Sequence, residues 1–501
     1  MDALRRLAEG CLLPGFVGTR APDWVLRRLP DGLGGAVLFG RNVVDPEQVA
    51  ALTAELHAAR PGALLAIDEE GGDVTRMEAR AGSSYPGNLA LGAAGDPDLT
   101  RAVAASLGAE LAAAGIDLDL APVADVNSNP DNPVIGVRSF GADADLVAAH
   151  VAAFVEGLQS AGVGACVKHF PGHGDTAVDS HVGLPVVAGG AEELEAALRP
   201  FRSAIAAGVR AVMTAHLVVP VLDAEPATVS RAVLTGLLRE RLGYTGLVIT
   251  DGLEMAAIRS TIGLEEGAVR ALEAGADAIC VGGGLAEEDV VDLLAGALVD
   301  AVRSGRLGEE RLAEAAGRVA AAGGAARRGA APDRGLGLEA ARRALRAAGL
   351  APLTGPPVVV ELRPEASIAV GVVPWGMGEV LRGRDPAVTV LSYTEDDLPP
   401  LRPPGGGPRG GVATPDLDAV AAEAAGRPLV LVVRDLHRWP AHAVAADAIL
   451  ARRPDTIVVE MGLPVRRPAG ARAWLDTHGA ARVSAVAAAD LLVGPKERSA
   501  T

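Results

Sequence analysis

The chain has 501 residues, a hydrophobic share of 49% and a formal net charge of −17. This length and apolar content predict two or more compact units with large buried cores. The negative charge repels phosphate backbones, and no basic run with interleaved aromatic residues offsets it. A nucleic acid is therefore not an expected partner.

The N-terminal stretch Met1–Phe16 has two arginines followed by a short, interrupted apolar run, which predicts neither a signal peptide nor a membrane span. The three cysteines, Cys11, Cys166 and Cys280, stand beside apolar residues and outside any CxxC spacing. That pattern indicates buried thiols in a reducing compartment rather than a disulfide framework or a zinc ribbon. We expect a cytoplasmic protein that is not attached to a membrane.

Between about Gly35 and Gly284 one unit recurs: an apolar strand-like run, a polar or Gly-rich turn, and an alanine-rich amphipathic stretch. This rhythm predicts parallel strands joined by helices. The predicted strands are Ala36–Phe39, Ala63–Ile67, Ile116–Val126, Gly164–Lys168, Ala211–His216, Leu247–Thr250 and Ala278–Val281. Nearly every run ends in charged residues or histidine, which a barrel gathers at one mouth, so a (β/α)8-type TIM barrel is favoured over a doubly wound open sheet. Seven runs leave one strand weak or missing.

The composition then shifts to Ala, Arg, Gly and Pro, which predicts a linker with a short helix. Further strand-like runs predict a smaller, sandwich-like α/β domain; they are Val358–Leu362, Ala369–Val373, Val388–Leu391, Leu429–Val433 and Ile457–Glu460. We therefore expect a catalytic barrel over residues 1–325, a linker over 326–357 and a C-terminal domain over 358–501.

The densest chemical pattern is KHFPGHGDTAVDSH, Lys168–His181, which places three of the nine histidines in fourteen residues after a strand. A metal site or structural histidines would also explain such a cluster, but Pro171 and Gly172 oppose a helical metal-binding face. Asp179 and His181 are separated by one residue, so both side chains can turn to the same side of an extended segment. A carboxylate beside an imidazole orients the ring and raises its pKa, which produces a workable general acid.

A second pattern is YTGLVITDGLEM, in which an apolar strand ends in Asp251 followed by Gly252. In a barrel this carboxylate lies at the mouth, and the glycine permits a close approach of ligand to backbone. A helix N-cap explains the aspartate equally well. For Glu254 we favour a solvated helix position.

The run LLAIDEEGGDVTRM carries three acids at a strand end, and Arg76 follows Asp68 by eight residues. Acids with an arginine are suited to sugar hydroxyls, because carboxylates accept and guanidinium donates several hydrogen bonds; surface ion pairing is the alternative. Arg138, in a Pro- and Gly-rich loop, either enters the mouth or stays solvated. His216 is either at the mouth or a core histidine.

A mouth rich in Asp, Arg, Lys and His, in a chain without a phosphate-binding or dinucleotide-binding glycine motif, points to a polyhydroxylated neutral ligand. We therefore expect a small glycan as the partner, with no cofactor and no metal. The sequence does not indicate the oligomeric state.

From about Leu13 to Val281 the sequence resembles the family 3 glycoside hydrolases, and within them the β-N-acetylglucosaminidase branch. The motifs that carry the resemblance occur in the family's order: LFGRN, IDEEGG, NPVIGVRSFG, KHFPGHGDTAVDSH and VITDGLEM. The resemblance implies that Asp251 is the nucleophile and that Asp179 and His181 act together as acid/base. It also implies a sugar-binding set, formed by Asp68, Arg76, Arg138, Lys168 and His169.

The implied activity is that of a retaining, exo-acting enzyme that removes terminal β-linked N-acetylglucosamine from peptidoglycan fragments or chitooligosaccharides, through a covalent glycosyl-enzyme. A phosphorylase that releases the sugar 1-phosphate is an alternative, because a histidine acid is neutral after it donates its proton and does not repel an incoming anion. A catalytically idle sugar-binding protein and a metal-dependent hydrolase are two others.

Overall fold

The computed structural model of the chain describes residues 2–324, 331–398 and 417–494. The chain divides into two compact units: Met1–Glu70, Val74–Glu78 and Gly95–Leu336 form the first, and Gly71–Asp73, Ala79–Ala94 and Gly337–Thr501 form the second. The predicted linker and C-terminal domain include residues 326–330, 399–416 and 495–501, which lie outside the described residues. The domain limits given above stay a prediction.

The first unit is built on eight short parallel strands. They are β1 (Leu12–Pro14), β2 (Gly35–Leu38), β3 (Leu64–Ile67), β4 (Leu118–Asp119), β5 (Gly164–Phe170), β6 (Ala211–Thr214), β7 (Leu247–Ile249) and β8 (Ile279–Val281). Strands β2 to β7 pair in chain order, a bridge from Ile249 to Ala278 continues to β8, and β8 pairs with β1. The Gly34 amide donates to the Glu9 carbonyl (2.9 Å), which brings β1 beside β2 and closes the ring.

The predicted barrel is therefore confirmed, and the strand missing from the prediction is β1. The sequence interpretation treated Leu12–Pro14 only as a short, interrupted apolar stretch. Seven predicted runs coincide with β2 to β8 within a few residues, although β4 is a two-residue strand continued by a bridge from Val123 to Lys168.

Inward-facing side chains of alternate strand positions fill the barrel, as in other closed parallel barrels. This core includes Val37, Ala66, Met213 and the two thiols Cys166 and Cys280, all nearly or fully buried. Because the strands are buried on both faces, they occur as continuous apolar runs rather than as an alternating pattern.

Helices surround the strands. In the first unit they are Ala3–Gly10, Asp23–Asp31, Pro46–Ala59, Pro97–Ala113, Ala144–Ser160, Ala191–Ala206, Ala256–Arg259, Leu264–Ala274, Glu288–Arg303 and Glu309–Ala322, with a π-helix at Ala232–Arg241 and 3₁₀ turns at Gly40–Asn42, Gly136–Arg138 and Ala227–Val229. Local chemistry sets several starts: the Asp45 side chain accepts from the Gln48 amide, and Asp96 accepts from the Leu99 amide, each directly before a proline at the first helical position.

Among the residues that the structure describes, the second unit holds a six-stranded sheet. Its strands are β9 (Arg346–Ala348), β10 (Val358–Arg363), β11 (Thr389–Thr394), β12 (Leu429–Val433), β13 (Ile457–Glu460) and β14 (Ala473–Asp476), in the order β11-β10-β12-β13-β14-β9 with only β9 antiparallel. Helices at Asn88–Ala94, Gly335–Ala344, Gly378–Arg382, Leu417–Glu423, Pro440–Arg452 and Arg482–Val493 accompany it, with a 3₁₀ turn at Glu395–Asp397.

Both faces of this sheet are covered, since alternate residues of β10 and β12 belong to two separate apolar clusters. Val358 and Leu431 pack with helix Pro440–Arg452, and Val359 and Val430 pack with helix Arg482–Val493. The predicted α/β sandwich is confirmed. The predicted strand Ala369–Val373 is wrong, because this segment forms turns and bends. It is followed by Gly376, whose φ is positive.

Among the described residues, no helix is both long enough and apolar enough to cross a membrane.

Candidate active site

The eight residues predicted for the site all lie at or beyond the carboxyl ends of barrel strands. Asp68 directly follows β3, Lys168 and His169 are among the last three residues of β5, and Asp251 follows β7. The others, Arg76, Arg138, Asp179 and His181, lie in the loops after β3, β4 and β5. Because parallel strands of a closed barrel end at one mouth, this placement gathers residues far apart in sequence.

Four of the eight form a buried ion cluster with a fifth residue, Glu70. Asp68 accepts from Arg76 (3.0 Å) and from Lys168. Lys168 also contacts Glu70 (2.6 Å), and Glu70 binds Arg138 through both carboxylate oxygens (2.7 and 3.0 Å). The cluster has three cations and two carboxylates, so its net charge favours ligand groups that accept hydrogen bonds or carry partial negative charge.

Charge pairing keeps this cluster ionised. Burial opposes ionisation of Asp68, but Lys168, Arg76 and Arg138 together outweigh it and hold the pKa of Asp68 well below its usual range. Burial likewise opposes ionisation of Glu70, and Arg138 and Lys168 lower its pKa below the ordinary value. The carboxylates are therefore anionic acceptors at neutral pH.

Asp179 and His181 form the predicted pair. Asp179 Oδ1 accepts from His181 Nδ1 (2.7 Å) and from the His181 backbone amide (2.9 Å), which fixes the ring and leaves Nε2 on its far side. Burial alone would lower the pKa of His181, but the hydrogen bond to Asp179 and the charge of Asp251 raise it above the ordinary value. The imidazole is thus able to carry a proton near neutral pH.

The loop that carries this pair is tied to the turn after β7. The Ala257 amide donates to the Ser180 carbonyl (3.3 Å), and the Ser180 hydroxyl contacts His173 Nε2 (3.2 Å). His173 in turn contacts Thr176 through Nδ1 (2.7 Å). The first of these bonds joins the loop of His181 to the segment that begins with Asp251, and the charges of the two side chains act on each other's pKa.

Asp251 is held by its own turn and faced by imidazoles. Its Oδ1 accepts from the Gly252 amide (2.8 Å). Burial would raise the pKa of Asp251, but nearby His169, His216 and His181 lower it below the ordinary value. An ionised carboxylate near a histidine that can carry a proton is a combination suited to nucleophilic attack with acid assistance.

The sequence interpretation missed two residues that contact the predicted site residues, Glu70 and Asp125. Glu70 was seen only as one of three acids at a strand end, and Asp125 was not singled out at all. Asp125 is fully buried and contacts His169 Nδ1 (2.7 Å) and the backbone amide of His173 (2.7 Å). A signal was available, because Asp125 lies near the end of the predicted run Ile116–Val126, where the other strands carry site residues.

The expectation of a solvated Glu254 is wrong. Its Oε1 accepts from three successive backbone amides after β8, those of Gly282 (2.9 Å), Gly283 and Gly284 (3.3 Å). Arg41 of the LFGRN motif donates to the carbonyls of Gly282 and Gly283, which belong to that same loop after β8. Glu254 and Arg41 therefore fix the glycine loop after β8, as a carboxylate in a nest of amides does elsewhere.

His216 is at the mouth, as one of its two predicted alternatives had it, and it is also fully buried. Its Nε2 contacts the Gly252 carbonyl (3.0 Å), and its Nδ1 contacts the Thr228 hydroxyl (2.7 Å). Burial lowers the pKa of His216 below the ordinary value.

A parallel barrel with an ion cluster, a carboxylate and an Asp–His pair at its mouth defines a class: a barrel enzyme that cleaves bonds between sugars. The family model described as the glycosyl hydrolase family 3 N-terminal domain matches residues 25–322. The chain therefore belongs to glycoside hydrolase family 3, and the predicted family is confirmed.

Several known proteins are similar. A β-hexosaminidase of Thiobacillus denitrificans (strain ATCC 25259 / T1) is 41% identical over 278 residues, which cover 54% of this chain and 77% of that protein. β-Hexosaminidase A of Pseudoalteromonas piscicida is 37% identical over 317 residues, 58% of this chain, and the chain spans about half (52%) of that relative.

Among solved structures, a family 3 β-N-acetylglucosaminidase from Paenibacillus sp. str. FPU-7 superposes with a TM-score of 0.86 at 35% identity, over 100% of this chain and 98% of that one. A β-N-acetylhexosaminidase from Beutenbergia cavernae DSM 12333 superposes with a TM-score of 0.58 at 32% identity, over 64% of this chain and 98% of that one. The Paenibacillus structure matches both units of the chain.

Proposed function

We propose that the chain is a retaining, exo-acting β-N-acetylglucosaminidase. The observation that supports this most directly is the bonded Asp179–His181 pair on a loop tied to the turn that follows Asp251. The names of the β-hexosaminidase relatives and of the Paenibacillus structure support the same sugar.

In this proposal Asp251 attacks the anomeric carbon, so that a bond from carbon to carboxylate forms as the bond to the leaving oxygen breaks. The proton on His181 Nε2 passes to that leaving oxygen. In the second half-reaction neutral His181 removes a proton from water, the water oxygen bonds to the anomeric carbon, and Asp251 leaves as a carboxylate. Two inversions retain the β configuration.

The ion cluster at the mouth supports a sugar-binding role for Asp68, Arg76, Arg138 and Lys168. Asp68 is held ionised and retains lone pairs for hydroxyl donors, whereas the arginines and lysine donate to hydroxyl oxygens. We also assign His169 to this set, because Asp125 engages Nδ1 and leaves Nε2 without a partner among the described residues.

Release of 4-nitrophenol from 4-nitrophenyl N-acetyl-β-D-glucosaminide tests the activity and separates it from a non-catalytic sugar-binding role. Asp251→Asn should abolish turnover. His181→Ala should slow substrates with poor leaving groups about 10²–10⁴-fold, the usual contribution of a general acid, and activated aryl glycosides far less. Equal losses on both kinds of substrate would contradict the acid role. Activity that disappears in a strong chelator would favour a metal-dependent hydrolase.

A phosphorylase is the second candidate, and the use of a histidine rather than a carboxylate as acid favours it. After the proton has left, His181 is neutral and does not repel an anion that approaches the glycosyl-enzyme. Product analysis with and without inorganic phosphate separates the two: free sugar in both cases indicates a hydrolase, and sugar 1-phosphate indicates a phosphorylase.

We further propose a cytoplasmic enzyme that acts on recycled cell-wall fragments. The three cysteines are free and buried, as expected in a reducing compartment. Product analysis on a muropeptide and on chitobiose tests the substrate class: faster cleavage of chitobiose would redirect the proposal to chitooligosaccharides.

A further inference from the structure

His216 links the strand next to the nucleophile's strand to the turn that the nucleophile begins. It lies two residues beyond the end of β6, and its side chain is fully buried. Asp251 likewise lies two residues beyond the end of β7, which pairs with β6 along Ala211–Leu247, Val212–Val248 and Met213–Ile249. A side chain at this place can therefore bridge the two strand ends.

The hydrogen bond to Gly252 defines the protonation of the ring. A carbonyl oxygen only accepts, so His216 Nε2 must carry the proton in its 3.0 Å contact with the Gly252 carbonyl. The Gly252 amide donates to Asp251 Oδ1 (2.8 Å). Gly252 thus accepts a hydrogen bond from His216 at its carbonyl and donates one to Asp251 from its amide.

The other ring nitrogen is engaged by a short chain of hydroxyls. Thr228 Oγ1 lies 2.7 Å from His216 Nδ1 and 2.8 Å from Thr214 Oγ1, and all three side chains are fully buried. In the neutral ring, Nε2 donates to Gly252 and Nδ1 accepts from the Thr228 hydroxyl, whose single proton is shared with the Ala215 carbonyl 3.0 Å away. Both ring nitrogens are thus engaged, so the ring orientation is determined.

Charged groups surround the ring from two sides: Asp251 and Glu254 from the segment after β7, and His181 from the loop after β5. Burial nevertheless lowers the pKa of His216, which favours the neutral ring. A neutral ring leaves the charge of Asp251 available to the substrate.

The Gly252 carbonyl would have a hydrogen-bond donor even without His216, because it also accepts from the Met255 amide (3.0 Å). A leucine would fill a similar volume at a smaller desolvation cost. The bond from His216 is therefore best explained by the position it imposes on the turn after Asp251.

We propose that His216 is a positioning residue that sets Asp251 for attack by holding the Gly252 peptide. This inference rests on the proposed function, because it requires Asp251 to be the nucleophile. It predicts a loss in the bond-forming step while binding of the sugar in the ground state is retained.

The test compares His216→Leu with His216→Gln, whose amide N–H can occupy the place of Nε2. For the aryl N-acetylglucosaminide, kcat/KM should fall about 10²-fold in His216→Leu, the loss typical of a misplacement of about 1 Å. The inhibition constant of N-acetylglucosamine should change less than about threefold, and His216→Gln should recover most of the lost kcat/KM. If His216→Leu does not fold, Thr228→Val, which removes the donor to Nδ1, should give a smaller loss of the same kind.

Two results would overturn the proposal: equal loss of inhibitor binding and of kcat/KM in the folded variants, or no recovery with His216→Gln. Failure of the proposed function is seen separately. In that case the unmodified chain would not cleave the aryl glycoside, or Asp251→Asn would remain as active as the unmodified chain.

Discussion

Replacing Glu70 by glutamine should be one of the most destabilising single changes at the mouth. Glu70 binds both Arg138 and Lys168, and the three side chains are 3%, 7% and 3% exposed. Removal of one partner from a buried ion pair costs about 3–5 kcal/mol, because the remaining charges lose their compensation. The free energy of unfolding should fall by about that amount, which changes the folded-to-unfolded ratio about 10²–10⁴-fold.

The adjacent acid gives a matched control. Glu69 is as buried as Glu70, but its hydrogen-bond donors are neutral groups, the backbone amides of Arg76 (2.7 Å) and Met77 (2.8 Å) and the Thr75 hydroxyl, and burial raises its pKa to about 7. A carboxyl group that is largely protonated below pH 7 loses little when it becomes an amide. We expect Glu69→Gln to cost about 1 kcal/mol near neutral pH, the net value of an ordinary hydrogen bond.

The two variants should also differ in pH dependence. The pKa of Glu70 is lowered on folding, so its contribution is fully present above its ordinary pKa and is lost only as the pH falls below that value. The pKa of Glu69 is raised, so its contribution is present at low pH and is lost as the pH rises from about 4.5 to about 7. Between pH 5 and pH 8 the cost of Glu70→Gln should therefore stay constant, whereas that of Glu69→Gln should shrink.

Urea-induced unfolding followed by circular dichroism at pH 5, 6.5 and 8 measures both costs. Equal destabilisation by the two variants at pH 8, or a cost of Glu70→Gln below about 1 kcal/mol, would refute the view that the ion cluster stabilises the mouth through charge pairing.

Three further changes test other contacts. Asp179→Asn removes the hydrogen bond that raises the pKa of His181, so the alkaline limb of the kcat/KM profile should move to lower pH; an unmoved limb would contradict this pairing. Glu254→Gln should lower the free energy of unfolding by about 1–3 kcal/mol, because the amide oxygen of glutamine is a weaker acceptor for the three amides than the half-buried carboxylate; urea unfolding measures this cost. Arg138→Lys should reduce kcat/KM about tenfold or more because a lysine cannot bind Glu70 through two parallel bonds, and retained kinetics would argue against this geometry.

The barrel could be predicted because each strand is a buried apolar run that ends in polar residues. Strand β1 could not, because three residues, Leu12–Pro14, carry no periodicity of their own and become a strand only by pairing with β8. The predicted strand Ala369–Val373 shows the opposite case: its apolar composition suits a strand, but Val372 is 93% exposed and the segment pairs with no strand among the described residues.

Single residues were predictable where their partner lies close in the chain. Asp179 and His181 are two residues apart, so their pairing follows from an extended loop. The partners of Glu254 lie about thirty residues away, and those of Asp125 about forty-four to forty-eight, after an intervening helix. Only the closure of the barrel brings such residues together, which is why a helix surface position was the better sequence-based expectation for Glu254.

A cluster of histidines in sequence does not reveal which of them carries a proton, but in the structure the partner of Nδ1 separates His181 from His173 and His216. At this mouth a carboxylate engages Nδ1 of His181, and the pKa of that ring is raised. Hydroxyl groups engage Nδ1 of His173 and of His216. Burial and the charge of His169 lower the pKa of His173 to about 4. Burial also lowers the pKa of His216. A hydroxyl can accept from or donate to the ring and so does not compensate an imidazolium, whereas a carboxylate does. In the proposed mechanism the acid must hold its proton, which the carboxylate of Asp179 supports for His181, whereas the hydroxyl partners support neutral rings at His173 and His216.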